Sequence, residues 1–266
     1  MKKVVLITGV SSGFGHAMAA AFTKAGYTVY GTVRRSVEPV PGVNYLHMEV
    51  TRPESVRQAV DEIMNREQTL DVVINNAGGG IGGPLEFTPV EEARQLMDVN
   101  FFGAVNVIQA VLPVMRRQQN GLLICMSSVG GVMGLPYQGM YSAGKFALEG
   151  YCQALRLEIR SCNIKVVIVN PGDFSTRFTS SRKKIEGETC LGAYPGYPVT
   201  LALIEQSEQN GLKPEYLAGK MVRIAGRKNP SERYILATPP QKASVYLKRY
   251  LPERMFTAIL RTYYKT

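Results

Sequence analysis

The sequence lacks the residues from which most metal sites and disulfide frameworks are built. It has two histidines, His16 and His47, and four cysteines with no C-x-x-C spacing. Because zinc sites need clustered Cys and His ligands, and a Ser-His-Asp triad needs a histidine beside an acidic partner, we expect neither. The cysteines are Cys125, Cys152, Cys162 and Cys190. A chain of this length can form its core without disulfides, so we expect reduced thiols and a cytoplasmic location.

Long apolar runs and targeting signals are also missing. The short apolar run after Met1-Lys2-Lys3 leads into a glycine turn instead of a small-residue cleavage site, so we expect no signal peptide. The longest uncharged stretch, 118–144, is interrupted by Gly, Ser, Pro, Asn and Gln. A spanning helix needs about 20 mostly apolar residues, so we expect no membrane-spanning segment.

What the sequence does have is an alternation of short β-rich runs with longer segments of helical period, as in βαβ units around a parallel sheet. The predicted strands are Val4–Thr8, Thr28–Val33, Asn44–Met48, Asp71–Asn75, Leu122–Met126, Lys165–Asn170 and Arg233–Leu236. The predicted helices are His16–Ala25, Pro53–Arg66, Val90–Arg117 and Tyr141–Ser161, with further pieces after Thr200. We predict a single α/β domain over residues 1–266, with a Rossmann-like, doubly wound parallel sheet of about seven strands and helices on both faces.

A glycine-rich turn, Thr8-Gly9-Val10-Ser11-Ser12-Gly13-Phe14-Gly15, follows the first predicted strand. Glycine lets the backbone turn tightly and approach a pyrophosphate, which then lies at the positive end of the next helix. The spacing G-x-x-x-G-x-G differs from the G-x-G-x-x-G fingerprint, but its place after the opening strand predicts a dinucleotide site. The residues of this predicted site are Gly9, Ser11, Ser12, Gly13, Phe14 and Gly15.

The end of the second strand indicates which cofactor binds. An Asp or Glu there accepts a hydrogen bond from a free ribose 2′-hydroxyl, whereas Arg accommodates a 2′-phosphate. This chain has Arg34 and Arg35 at that position and no acid. A guanidinium matches the geometry of a phosphate, so we predict that Arg34, helped by Arg35, favours NADP(H) over NAD(H).

Tyr141 and Lys145 lie four residues apart at the start of a predicted helix and therefore on one face of it. A free phenol, with a pKa of about 10, is a poor base at neutral pH, and a neighbouring ammonium favours the phenolate. We therefore expect Lys145 to lower the pKa of Tyr141. Ser128 ends the fifth strand, where the sheet delivers side chains to a ligand cleft. These residues predict an acid/base site.

Together, these motifs closely resemble the short-chain dehydrogenase/reductase family. The matching segments are the glycine turn, Asn75-Asn76-Ala77-Gly78, Asn100, Ser128, Tyr141-x-x-x-Lys145 and Asn170-Pro171-Gly172. The resemblance covers residues 3–176. The sequence around Ser128 and Tyr141 is most similar to the 17β-hydroxysteroid and retinol dehydrogenase branch.

The resemblance implies a catalytic tetrad of Asn100, Ser128, Tyr141 and Lys145. Tyr141 would exchange a proton with the substrate oxygen, Ser128 would polarise the carbonyl, and Lys145 would also bind the nicotinamide ribose. Asn100 would anchor a water that leads to Lys145. The further implied cofactor contacts are Glu49, Val50, Asn76, Ala77, Gly78, Pro171, Gly172, Phe174 and Thr176.

Two departures from the family pattern concern side-chain size, and a third concerns flexibility. Glu49 stands where an Asp is common, and Phe174 stands where an aliphatic residue is common. The glycines that follow Gly78, at positions 79, 80, 82 and 83, predict a very flexible run. The resemblance also implies that residues 176–210 form a lid over the substrate.

The carboxyl-terminal part of the chain carries most of the net positive charge. From Lys213 onward there are twelve Lys and Arg against three Glu, whereas the whole chain has a net charge of +10. Residues 251–266 predict a basic amphipathic helical tail. Its apolar residues are Met255, Phe256, Ile259, Leu260, Tyr263 and Tyr264, and its basic residues include Arg254, Arg261 and Lys265. The tail suits an anionic membrane surface, an acidic carrier protein, or a cover for the core or a subunit contact.

Three functions remain open at this point. The first is an NADP(H)-dependent oxidoreductase that interconverts a ketone or aldehyde and an alcohol, on an apolar, steroid- or retinoid-like substrate. The second is a 3-oxoacyl-carrier-protein-type ketoreductase, and the third is a non-catalytic NADP(H)-sensing protein. We expect a homodimer or homotetramer, a cytoplasmic protein that is peripheral to a membrane if the tail binds one, and no nucleic-acid partner because no nucleic-acid-binding module is recognisable. The tail itself is expected to govern association and not catalysis.

Overall fold

The computed structural model describes residues 2–35 and 37–266. Its strands are β1 (Val4–Ile7), β2 (Thr28–Val33), β3 (Val43–His47), β4 (Val72–Asn75), β5 (Ile81–Gly82), β6 (Gly121–Met126), β7 (Ile164–Pro171), β8 (Lys183–Lys184) and β9 (Arg233–Leu236). Its helices are α1 (Gly13–Lys24), α2 (Pro53–Glu67), α3 (Val90–Met97), α4 (Gly103–Gln118), α5 (Gly139–Glu158), α6 (Phe178–Ser181), α7 (Glu188–Ala193), α8 (Tyr197–Gln209), α9 (Pro214–Ala225), α10 (Pro239–Tyr250) and α11 (Glu253–Tyr264).

Seven strands form one parallel sheet in the order β3-β2-β1-β4-β6-β7-β9. The central strands are apolar and buried along their whole length, because helices cover both faces of the sheet. The strand order reverses between β1 and β4, and a doubly wound sheet binds ligands outside the carboxyl ends of its strands at such a point. The predicted fold is confirmed, and every predicted strand end lies within one residue of the observed end.

Two apolar cores hold the layers together. Side chains of α1 and α9 pack on one face of the sheet, and those of α2, α4 and α5 pack on the other. Leu148 and Leu155 of α5 belong to the second core and are 2% and 5% exposed. The core of this chain therefore buries both residues, and neither is available for a subunit contact.

One continuous helical run, Val90–Gln118, joins α3 to α4 through a π-helical turn at Asp98–Phe102. By length and composition alone the run could cross a membrane. Its apolar face, however, packs on the sheet through Val107, Ile108 and Val111, which are fully buried. The run therefore serves as a core helix, and the π-helical turn carries Asn100 into the interior.

The glycine run after Gly78 is ordered by pairing, which corrects the prediction of a flexible segment. Ile81 and Gly82 form β5, which pairs in parallel with β8 in a second, two-stranded sheet. A Cβ atom on Gly83 would lie 2.5 Å from Cβ of Ile185, and one on Gly80 would lie 2.7 Å from the ring of Phe178. The glycines are therefore needed because the segment 178–185 packs directly against them.

The last two helices, α10 and α11, form a hairpin that is fixed to the body of the protein. Phe256 of α11 is 2% exposed and packs with Val129 and Met133, which follow β6. The Thr200 hydroxyl donates a hydrogen bond of 2.9 Å to the carbonyl oxygen of Tyr264. The predicted basic tail therefore forms a helix that packs on the body, close to the carboxyl ends of the strands.

Candidate active site

A cavity of about 790 Å³ extends along the carboxyl ends of the strands, from the glycine turn to α11. It brings together most of the predicted site. The predicted residues that line it are Gly9, Ser11, Ser12, Gly13, Phe14, Arg34, Glu49, Val50, Asn76, Ala77, Gly78, Ser128, Tyr141, Pro171, Gly172, Phe174 and Thr176. Gly15, Arg35, Asn100 and Lys145 lie outside this lining.

The glycine turn has the geometry of a dinucleotide cradle. Gly9 and Gly13 have φ angles of +71° and +53°, which glycine adopts at little cost. A Cβ atom on Gly9 would lie 3.0 Å from Cα of Ala77, and one on Gly15 would lie 2.1 Å from the Gly9 carbonyl oxygen. Gly15 thus allows α1 to pack on the turn, while Ser11, Ser12 and Gly13 present the amino end of α1 to the cavity. This end of the cavity fits an anionic pyrophosphate.

Asn76 fastens the loop after β4 to this turn. Its side-chain Nδ2 donates to the carbonyl oxygens of Thr8 and Gly9 at 2.9 and 3.0 Å. In return, the Thr8 hydroxyl accepts the backbone N–H groups of Asn76 and Ala77, both at 2.9 Å. The two loops that would contact the cofactor are therefore rigidly joined before anything binds.

Arg34 lies at the end of β2 beside Glu49. The shortest distance between the Arg34 guanidinium and the Glu49 carboxylate is 3.8 Å, and the Arg34 side chain is 71% exposed. Both side chains line the cavity, whereas the exposed Arg35 does not. The arrangement places one guanidinium beside one carboxylate at this end of the cavity.

Tyr141 and Ser128 place two hydroxyl groups side by side in the cavity. Ser128 Oγ accepts the backbone N–H of Gly130 at 3.0 Å. The ring of Phe178, from the lid segment, packs on Tyr141 with 5.5 Å between the ring centroids. The loop after β6 thus orients the Ser128 hydroxyl, and the lid covers the Tyr141 ring.

Lys145 and Asn100 lie behind this surface. Lys145 Nζ donates to the carbonyl oxygen of Met126 at 2.8 Å and lies 5.7 Å from the centroid of the Tyr141 ring. Asn100 exchanges two hydrogen bonds with the backbone of Gly79, at 2.8 and 2.9 Å. Gly78 separates both side chains from the cavity, since a Cβ atom there would lie 3.1 Å from Asn100 Oδ1 and 3.8 Å from Lys145 Nζ.

Burial dominates the protonation of the Tyr141–Lys145 pair. It raises the pKa of Tyr141 to about 12, against a smaller lowering by the neighbouring Ser128 side chain. Burial also lowers the pKa of Lys145 to about 8, an effect that the neighbouring Cys125 and Glu149 partly offset. The expectation that Lys145 lowers the pKa of Tyr141 is therefore not met here, because desolvation of the phenol outweighs its neighbours. At neutral pH Tyr141 holds its proton and suits the role of an acid.

A buried polar network supports the site from the other side of α5. The Glu149 carboxylate pairs with Arg233 at 2.5 Å and accepts from Asn170 Nδ2 at 2.6 Å. The same Asn170 Nδ2 donates to the carbonyl oxygen of Ser128 at 2.8 Å. Glu149 follows Lys145 by one helical turn, a spacing visible in the sequence, but the partner Arg233 comes from β9 and only the fold brings it there.

The sequence analysis also missed two acidic residues of the site. Asp173 and Glu208 both line the cavity. Glu208 forms an ion pair with Arg182, whose side chain is fully buried, and accepts the Thr179 hydroxyl at 2.7 Å. Asp173 accepts the Ser207 hydroxyl and, within the described ranges 2–35 and 37–266, forms no salt bridge. Burial raises the pKa of Asp173, and its hydrogen bond from Ser207 opposes this effect.

The far wall of the cavity comes from the lid and the carboxyl-terminal hairpin. Its apolar side chains are Leu203, Ile204, Leu247, Ile259 and Leu260, and Tyr263 and Tyr264 complete it. The predicted tail therefore contributes α11 to this wall of the cavity, and its expected role in association stays a prediction. The amphipathic pattern identified the helix, but not the surface that it covers.

Comparisons with known proteins agree with this geometry. The short chain dehydrogenase family matches residues 3–187. A 3-ketodihydrosphingosine reductase of Bacteroides thetaiotaomicron is 45% identical over 98% of each chain. An NADPH-dependent 3-dehydrocapnine reductase of Ornithobacterium rhinotracheale is 32% identical over 97% of this chain and 95% of its own. Retinol dehydrogenase 8 of Bos taurus is 32% identical over 87% of this chain and 80% of its own.

Solved structures show the same architecture. A short-chain dehydrogenase from Streptomyces avermitilis superposes with a TM-score of 0.82 at 30% identity, over 100% of this chain and 97% of its own. An alcohol dehydrogenase from Thermococcus sibiricus, complexed with 5-hydroxy-NADP, superposes with a TM-score of 0.72 at 25% identity, over 90% of this chain and 97% of its own. Similar structures include complexes with NADP and with NAD, so the similarity alone does not indicate which of the two this chain prefers.

Proposed function

Because the chain belongs to the short-chain dehydrogenase/reductase family, we propose that it is an NADPH-dependent reductase of a long-chain ketone. The observation that carries the proposal is the Tyr141 hydroxyl, which faces the same cavity as Ser128 and the glycine turn. When bound, the cofactor supplies the hydride.

The four residues of the tetrad have separate roles in this proposal. Ser128 holds the carbonyl oxygen, and Tyr141 donates a proton to it as the alcohol forms. The Lys145 ammonium stabilises the phenolate that Tyr141 becomes, and it approaches the cofactor ribose past Gly78. Asn100 positions the loop at Gly78 and Gly79 through its two backbone hydrogen bonds.

The residues that would hold NADP(H) fall into three groups. Ser11, Ser12 and Gly13 bind the pyrophosphate at the amino end of α1, and Arg34 binds the 2′-phosphate. Asn76, Ala77 and Gly78, with Glu49 and Val50, line the adenosine side. Gly172, Phe174 and Thr176 hold the nicotinamide.

The cavity favours a substrate with a long apolar part and a cationic head. Its far wall is aliphatic, while Asp173 is a carboxylate without a salt-bridge partner among the described residues. A protonated amine near the ketone would give Asp173 a direct ion pair in addition to its hydrogen bond from Ser207, since a charge removed from water needs a partner. The names of two relatives, 3-ketodihydrosphingosine reductase and 3-dehydrocapnine reductase, support a 2-amino-3-ketone on a long chain. A retinoid-like substrate is the second candidate, which the similarity to retinol dehydrogenase 8 favours.

A pair of substrates tests this assignment. We expect the wild type to oxidise NADPH with 3-ketodihydrosphingosine, and Asp173→Asn to raise the KM at least tenfold. The same long-chain ketone without the amine is the control, because its KM should change less than twofold in the variant. Equal effects on both ketones would assign Asp173 to cofactor binding or folding, and preferential turnover of a 3-oxoacyl carrier protein would favour the carrier-protein alternative. Absence of turnover with every carbonyl tested would favour a non-catalytic NADP(H)-sensing protein.

The partners and the location of the protein follow as proposals. We infer a homodimer or homotetramer of a cytoplasmic protein that is peripheral to a membrane. The exposed Phe102 and Phe146, on the helical run Val90–Gln118 and on α5, support the oligomer. The apolar substrate and the basic carboxyl-terminal helices support the membrane surface.

A further inference from the structure

The α10–α11 hairpin exposes an unusual amount of large apolar surface. On α10, Tyr246 and Tyr250 are 58% and 75% exposed. On α11, Met255, Ile259 and Tyr263 are 55%, 44% and 59% exposed. The three α11 residues are spaced by four and form one stripe, distinct from the stripe of Phe256, Leu260 and Tyr264 that packs inward. Such a concentration of exposed apolar side chains marks an interaction surface.

Basic residues flank this apolar surface. Arg249, Arg254, Arg261 and Lys265 are all exposed. The acidic residue of the hairpin, Glu253, is already paired with Lys248. The surface therefore combines apolar stripes with uncompensated positive charge, which is the pattern of helices that lie in the interface of an anionic bilayer.

The same hairpin opens onto the active site. Leu247, Ile259 and Tyr263 are each more than 40% exposed and also line the cavity. Their side chains thus connect the outer surface with the aliphatic wall of the substrate site. A lipid chain that left a bilayer beneath the hairpin would meet apolar side chains along its whole path.

We propose that the α10–α11 hairpin docks on an anionic phospholipid bilayer and that substrate passes between the bilayer and the cavity along Leu247, Ile259 and Tyr263. The proposal rests on the proposed function in its choice of a long-chain substrate. It assigns α11 two roles at once, as a membrane-contact helix and as a wall of the active site.

Charge complementarity favours a bilayer over a second copy of this chain as the occupant. In a two-fold symmetric contact the same patch meets itself, so Arg249, Arg254 and Arg261 would face their own copies. Anionic headgroups instead neutralise these residues while the tyrosines and Met255 enter the interface. An attraction of this kind weakens at high salt, because ions screen it over about 8 Å at physiological ionic strength.

Two variants that spare the cavity lining test the docking surface. The first reverses charge with R249E, R254E and R261E, and the second removes apolar contact with Y246S, Y250S and M255S. The control reverses three exposed charges at the opposite, amino-terminal edge of the sheet, with R116E, R117E and K228E. Each full-length protein is sedimented with phosphatidylcholine vesicles, with and without about 30% phosphatidylglycerol. The phosphatidylglycerol gives the vesicles a negative surface potential.

We expect the wild type and the control to bind the anionic vesicles at low salt and to be released at high salt. Each hairpin variant should bind at least tenfold more weakly. With 3-ketodihydrosphingosine embedded in the vesicles, the hairpin variants should lose at least tenfold in kcat/KM, while a short soluble ketone is reduced at an unchanged rate.

Three results would overturn the proposal. The first is that the wild type does not bind anionic vesicles. The second is that a hairpin variant no longer binds vesicles but still turns over embedded substrate at the wild-type rate. The third is that the hairpin substitutions change the oligomeric state of the protein and not its vesicle binding. If no ketone is reduced by the wild type, the proposed function fails, and vesicle sedimentation still decides the docking surface.

Discussion

At the scale of single residues, Arg34 carries the proposed preference for NADPH. We expect Arg34→Asp to weaken NADPH binding at least tenfold and to favour NADH relative to it. A hydrogen bond to a charged group contributes about 1.5–3 kcal/mol, and the new carboxylate would also repel the phosphate. Arg35→Asp is the matched control, because Arg35 is exposed and does not line the cavity. A wild type that binds NADH more tightly than NADPH in titration would refute the cofactor preference.

Glu149 is the residue whose replacement should move the pH profile. Lys145, with a pKa of about 8, is charged below that pH and stabilises the phenolate left on Tyr141. Reduction should therefore be steady below pH 8 and slow as the pH rises through it, while Tyr141, with a pKa of about 12, keeps its proton. The groups that act on Lys145 are Cys125 and Glu149, and both raise its pKa.

We expect Glu149→Gln to shift the alkaline limb of kcat about one pH unit lower, because the carboxylate that favours the ammonium is gone. The exposed Glu158→Gln, on the same helix, is the control and should leave the profile unchanged. A lower kcat with an unshifted profile would mean that Glu149 acts on structure alone, through Arg233 and Asn170.

At the scale of elements, the packing of the lid segment on β5 can be tested with one methyl group. In Gly83→Ala, the new Cβ atom would lie 2.5 Å from Cβ of Ile185, so either the lid or the strand must shift. Overpacking of this kind costs about 1–3 kcal/mol, which should lower the Tm by several degrees and raise the KM of the ketone. Gly134→Ala is the control, since no atom of residues 2–35 or 37–266 lies within 4 Å of the added Cβ. Equal melting temperatures for the two variants would contradict the packing described here.

The central sheet could be predicted from the sequence because its strands are short and apolar and are separated by segments with the periodicity of a helix. The glycine turn and the Tyr141–Lys145 pair could be predicted as well, since their geometry depends on neighbours within one turn of chain. The two-residue strands β5 and β8 could not, because two residues carry no periodicity and their pairing joins Ile81 to Lys183. For the same reason the Glu149–Arg233 pair and the α11 wall of the cavity required the structure.

At the scale of the whole molecule, we expect assembly into a dimer or tetramer through the helical runs that carry Phe102 and Phe146. These side chains are 50% and 45% exposed, whereas their neighbours on the same helices form the core. Light scattering at micromolar concentration should give two or four times the 29.3 kDa of one chain. The double variant Phe102→Ser/Phe146→Ser should shift the protein toward the monomer, and a monomeric wild type would contradict the expectation.

The central claim is that Tyr141 transfers the proton in an NADPH-dependent ketone reduction, and one comparison tests it most directly. NADPH absorbance is followed during turnover of 3-ketodihydrosphingosine by the wild type and by Tyr141→Phe, and NADPH binding is titrated in both. Because general acid catalysis contributes about 10²–10⁴-fold, the account predicts a kcat lower by that factor with a dissociation constant for NADPH within about twofold. An undiminished kcat in Tyr141→Phe would contradict the account.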